Sequence, residues 1–191
     1  MQCGAVECME EDEVRRIFDC NFFGTFFVSK EAARHMRINR SGTIIQIASL
    51  AAVDTIASEG MYGATKHAVL GMSQALHMEL ESFGVKVCIV EPGPVHTDMS
   101  KRAKLCRNQI PDYNETCGAE LDRWQEDKEY DMPDATDPAK CAQAVLALAD
   151  MEKPPREMIL GSFADKILME TSGNRRRWAE EWKEFTDKCD D

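Results

Sequence analysis

Two short apolar runs, Thr43 to Ile47 (TIIQI) and Val85 to Val90 (VKVCIV), limit what this chain can fold into more than any other feature. Both are rich in β-branched residues and poor in polar ones, so each reads as a strand buried on both faces. The segment between them, from about Gly60 to Phe83, has helical length and carries Ala64, Ala68, Met72, Ala75 and Leu76 on one side. Gly84 follows, in the usual place for a glycine that closes a helix. Two buried strands joined through a helix imply a parallel pair with a right-handed crossover.

The pattern extends in both directions. Residues 1–9 read as a loop. Glu10-Glu11-Asp12-Glu13 then places negative charge where a helix dipole favours it. Val14, Ile17, Phe18, Phe22 and Val28 continue that helix to about Met36. Further aromatics at Phe23, Phe26 and Phe27 make it apolar on more than one face, so it is either deeply buried or packed against a partner subunit. The second strand stops at Pro92-Gly93-Pro94, where proline withholds a donor from central pairing. Residues 100–135 read as a long excursion with short helical pieces, the usual setting of lids and binding loops. Thr136-Asp137-Pro138 opens a helix to about Asp150, and Glu157 to Leu160 forms a third short strand. A tail helix places Trp178, Trp182 and Phe185 in a stripe that would cover the core. The fold class is α/β, with about three parallel strands flanked by helices. One domain spans 1–191, with 10–99 as its core, 100–135 as an insertion and 136–191 as a closing helix, strand and tail helix.

Composition narrows the partners. A formal net charge of -11 disfavours nucleic acid and anionic membrane surfaces, which reward basic patches. No apolar run approaches the ~20 residues of a membrane helix. The four histidines are scattered, so no metal-ligand spacing emerges. Eight cysteines form no C-x-x-C pair, and no signal peptide precedes them, which predicts reduced thiols and a cytoplasmic location.

In a parallel sheet, ligands bind beyond the carboxyl ends of the strands. Ser49 follows the first strand and Pro92-Gly93 the second, so both belong to one rim. Tyr62 and Lys66 stand at i and i+4 and share a helix face. A hydroxyl, a phenol and an ammonium in one crevice form an acid–base set. Taken singly, each has an ordinary explanation: Ser49 as a turn residue, Tyr62 as an exposed helix-start aromatic, Lys66 as a solvated charge, Asn21 as a helix-packing amide. Thr97-Asp98 reads equally as a turn or helix start.

Ser49, thirteen residues before Tyr62-x-x-x-Lys66, followed by PGPVHT at 92–97, resembles the short-chain dehydrogenase/reductase family, and Asn21 in CNFFGT is similar to that family's helix asparagine. Within the family, the later segments look most like the hydroxysteroid and retinol dehydrogenase branch. The resemblance implies the C-terminal part of a Rossmann-like, doubly wound sheet and hydride transfer between NAD or NADP and a carbonyl or alcohol. It implies catalytic roles for Asn21, Ser49, Tyr62 and Lys66. It implies cofactor contacts from Asn21, Tyr62, Lys66, Pro92, Gly93, Val95 and Thr97. Tyr62 would be the general acid/base. An ammonium ~4 Å away at an effective dielectric of ~20 offsets about the ~4 kcal/mol needed to bring a phenol from ~10 to near 7, and Lys66 is placed to supply it. The family's dimers imply a homo-oligomer through the helices at 10–36 and 60–83.

The family's opening TGxxxGxG turn, whose glycines admit a pyrophosphate to a helix N-terminus, has no counterpart here. The chain reads as truncated, with Thr43–Ile47 lacking a neighbour on one side and with cofactor binding weakened. A second reading is a non-catalytic interaction protein that pairs through the same two helices.

Overall fold

The computed structural model describes residues 1–125 and 134–190. In chain order the elements are β1 (Gln2–Cys3), α1 (Glu11–Phe18), a π-helical turn (Asp19–Phe23), α2 (Gly24–Asn39), β2 (Thr43–Ile47), α3 (Gly60–Glu81), β3 (Lys86–Pro92), α4 (Met99–Arg102), β4 (Lys104–Leu105), α5 (Asn114–Gln125), α6 (Pro138–Asp150), β5 (Glu157–Leu160) and α7 (Ser162–Glu181). Residues 126–133 of the expected insertion lie outside the described residues.

The main sheet has the order β2-β3-β5, all parallel, with Ile45 opposite Cys88 and Val90 opposite Met158. Alternation along β3 divides the core between two faces. Val87 and Ile89 point toward α3, where they join Ile44, Leu80 and Val69. Cys88 and Val90 point the other way, onto Leu148 of α6. Helices therefore cover both faces, as an all-parallel sheet requires. Among the described residues β2 is an edge strand, as the sequence predicts.

Local chemistry sets the element ends. Glu10 and Glu13 form a reciprocal capping box at the start of α1. Asp137 caps α6 by accepting from the Ala139 and Lys140 amides, and Pro138 takes the first helical position. Gly84 has φ +72, and a Cβ there would stand 3.1 Å from the Arg40 carbonyl oxygen, so glycine suits this turn on both counts.

Four readings of the sequence need correcting. Residues 1–9 are not only loop, because β1 pairs with β4 in parallel. The helix expected over 10–36 is interrupted by the π turn and runs on to Asn39. It is not deeply buried either, since Val28 is 73% and Phe27 57% exposed. Pro92 still belongs to β3, and the Gly93 amide reaches the Leu160 carbonyl at 2.9 Å. A last-position proline needs no donor of its own. The Trp178, Trp182 and Phe185 stripe covers no core. Ala164 is the fully buried residue of α7, whereas Trp178, Trp182 and Phe185 are 57%, 61% and 64% exposed.

A separate apolar cluster flanks the rim. Cys3, Cys8, Cys106 and Cys117 are buried there with Leu121. Beside it the Glu13 carboxylate, 2% exposed, accepts from the Gln2 amide at 2.9 Å and the Arg107 backbone at 3.2 Å. All eight cysteines are free thiols. Among the described residues no helix is long and apolar enough to cross a membrane.

Candidate active site

Ser49 lies two residues beyond β2 in extended backbone, and its hydroxyl accepts from the Ala51 amide at 3.1 Å. That bond caps a 3-10 turn over Leu50–Ala52 and fixes the serine at the strand end. Tyr62 sits in the first turn of α3. Both side chains line one hollow, and the Ser49 side chain acts on the Tyr62 phenol, so the two groups expected on one rim do share it.

Lys66 follows one turn along. Its Nζ donates to the Ile47 carbonyl at 3.1 Å and lies 5.9 Å from the Tyr62 ring centroid. The Asn21 amide donates to the Thr65 hydroxyl at 3.0 Å, and that hydroxyl donates to the Tyr62 carbonyl at 2.7 Å. Asn21 thus braces the turn that carries Tyr62 and is not bonded to Lys66. Its place in the π turn suits this, since the widened turn leaves its carbonyl to the Thr25 hydroxyl at 2.8 Å. Thr65, fully buried, has no functional signal in the sequence beyond its position three residues after Tyr62.

A hollow of about 520 Å³ opens at the strand ends. Ser49, Tyr62, Pro92, Gly93, Val95 and Thr97 all line it, while Lys66 and Asn21 are not among its lining residues. Val95 bridges to Thr136, and the Thr97 hydroxyl accepts from the Met99 amide at 3.4 Å as α4 begins. The wall also carries Glu59, the residue that precedes α3, and Glu120 of α5. Sequence reasoning missed both; only Glu59, three residues before Tyr62, is foreshadowed by spacing.

Electrostatics differ from the sequence expectation. Burial pushes the Tyr62 phenol above its ordinary value; the Ser49 hydrogen bond draws it down, and Glu59 raises it again. Lys66 does not lower it here, because its amine is turned to the Ile47 carbonyl. Burial pushes Lys66 itself down, against a smaller upward pull from Cys20. Glu59 is pushed up to about 7, by burial first and then by Glu120.

Residues 1–107 match the short chain dehydrogenase family. The chain belongs to that family. It is 32% identical over 164 residues to a 3-ketodihydrosphingosine reductase of Bacteroides thetaiotaomicron, covering 86% of this chain and 60% of that reductase. A short-chain dehydrogenase from Streptomyces avermitilis superposes on all of this chain with a TM-score of 0.86 at 31% identity, and 68% of that protein is covered. A Burkholderia cenocepacia short chain dehydrogenase solved with NADP shares the fold at a TM-score of 0.65 and 23% identity, covering 90% of this chain and 60% of its own. The chain thus spans well under two thirds of the curated reductase's length. The parallel α/β architecture read from element order, and the Rossmann-like sheet that the resemblance implies, agree with these superpositions.

Proposed function

We propose that this chain carries the proton-transfer and substrate-orienting part of an NAD- or NADP-dependent oxidoreductase acting on a carbonyl or alcohol. The observation that carries this reading is that Ser49 and Tyr62 line one hollow at the strand ends, with Lys66 one helical turn beyond Tyr62. When bound, NAD or NADP supplies or accepts the hydride. The residues present fit its nicotinamide half: Tyr62 and Lys66 on one side, and Pro92, Gly93, Val95 and Thr97 on the other. Apolar walls with a few convergent polar groups are the usual make-up of such a site.

Ser49 donates to the substrate oxygen and orients it. Tyr62, kept protonated by burial, gives its proton to the oxygen as negative charge develops there. Rotation of the Lys66 amine from the Ile47 carbonyl toward the phenol then stabilises the phenolate. Asn21 holds the Tyr62 turn through Thr65. The resemblance to the hydroxysteroid and retinol dehydrogenase branch favours an apolar substrate. Exposed Phe27 and Val28 on α2 and Met78 on α3 support pairing of two copies through these helices.

The test is direct. Purified chain is titrated with NADPH and NADH, then assayed on a panel of ketones and secondary alcohols beside Tyr62→Phe. Saturable binding in both proteins, with turnover lost in the variant, supports the reading. Equal turnover in the two overturns it. Absence of dinucleotide binding, with a dimer lost on Phe27→Asp, favours the non-catalytic interaction protein.

A further inference from the structure

A second hollow, of about 460 Å³, lies beside the first and takes no part in the proton transfer. Its walls come from Val6, Ile56, Ser58, Tyr113, Thr116 and Cys117, among others. Ile56 lines both hollows. The same two elements wall both: the segment before α3 gives Ser58 to one and Glu59 to the other, and α5 gives Cys117 to one and Glu120 to the other. The hollows are therefore neighbours that share Ile56.

Their chemistry differs. The first carries the reacting hydroxyls and the carboxylates. In the second, Tyr113 and Glu7 hydrogen-bond each other and so withdraw the polar groups of its far end. The Ser58 hydroxyl is buried with no partner. What remains for a ligand is mostly hydrocarbon. Each hollow alone falls in the range of small-ligand pockets, and together they approach its upper end of about 1,000 Å³.

We infer that the second hollow receives the uncharged apolar tail of the same substrate whose carbonyl or alcohol meets Ser49 and Tyr62, with Ile56 as the partition the chain passes. This rests on the proposed function for the location of the reacting end, and it adds a substrate class: ketones or secondary alcohols on an extended hydrocarbon chain. The occupant is set by continuity with the candidate active site.

Binding without turnover tests it. Affinities of a 2-ketone series from 2-hexanone to 2-dodecanone are measured by ligand-observed NMR on the wild type and on Thr116→Trp. Thr116 is exposed on α5, so the indole plugs the hollow without entering the core. Val6→Trp, from the opposite wall and also exposed, repeats the test if the first variant folds poorly. In the wild type, affinity should rise about fourfold per added methylene, the gain for burying one such group. In the plugged variants the rise should stop several methylenes earlier, with 2-hexanone bound as in the wild type. A common plateau for all three proteins overturns the inference, even if Tyr62→Phe abolishes turnover as proposed. Loss of the oxidoreductase reading would instead leave the binding series intact.

Discussion

Ser49 and Tyr62 are placed by the main sheet and α3, and Glu120 of the same hollow by α5, which packs on a two-stranded ribbon. The reacting wall rests on three parallel strands and on α3, with 22 residues. The facing wall rests on strands of two residues each and on α5, joined through four buried thiols and the enclosed Glu13 carboxylate. Position on the first wall is shared among many contacts, so it is stiff. Position on the second depends on few, so it can vary without unmaking the sheet. The proposed chemistry would then sit on the stiff side and selectivity on the adaptable one.

The widest contrast should be in rate. Tyr62→Phe should lower kcat by about 10²–10⁴-fold, whereas Cys106→Ala in the flank should leave it within about twofold. Steady-state assays of both variants break the comparison if the two losses are alike. Stability should separate next. Ile89→Ala, at a fully buried position of β3, should cost about 2–5 kcal/mol in urea unfolding. Cys106→Ala should cost about 1 kcal/mol, since a thiol is a small apolar group.

A third measurement sharpens the boundary between the walls. Glu59 holds its proton up to about pH 7, whereas an unfolded chain releases it near ~4.3. The folded state thus binds this proton more tightly, and the associated stability is complete below about pH 4 and lost as pH rises through about 7. Glu59→Gln should melt above the wild type at pH 8, by a margin on the order of 1–3 kcal/mol that closes toward pH 4. A pH-independent margin would mean that Glu59 faces solvent and not the hollow. The smallest effect is internal to the flank. At Gly4, φ is +153 and an added Cβ would lie 2.1 Å from the Cys106 sulfur. Gly4→Ala should cost about 1–3 kcal/mol, and pairing it with Cys106→Ala should return about 1 kcal/mol of that in a double-mutant cycle. Strict additivity would show that the two segments are not in contact.

The stiff wall was legible in the sequence, and most of the flank was not. β2 and β5 are apolar runs bounded by turn residues, and the structure reproduces their ends. The shared rim of Ser49 and Pro92-Gly93 follows from strand order alone. β1 and β4 carry no periodicity at two residues each, because only their pairing makes them strands. The meeting of Glu59 with Glu120 joins positions sixty-one apart and has no local signature. Trp182 was misread because helical spacing specifies a stripe but not whether anything packs on it. The Lys66 contact with the Ile47 carbonyl was not legible, because i,i+4 spacing fixes a shared face and not which acceptor the amine selects.

The outer margin of β2 has a practical consequence. Among the described residues no strand lies beyond its five residues, and Ile47 at its end is 47% exposed. Such a margin recruits strands, its own copies first, so light scattering should climb as solutions are concentrated. Handling limits for this chain are then decided at a border that ends two residues before Ser49, beside the hollow proposed for its chemistry.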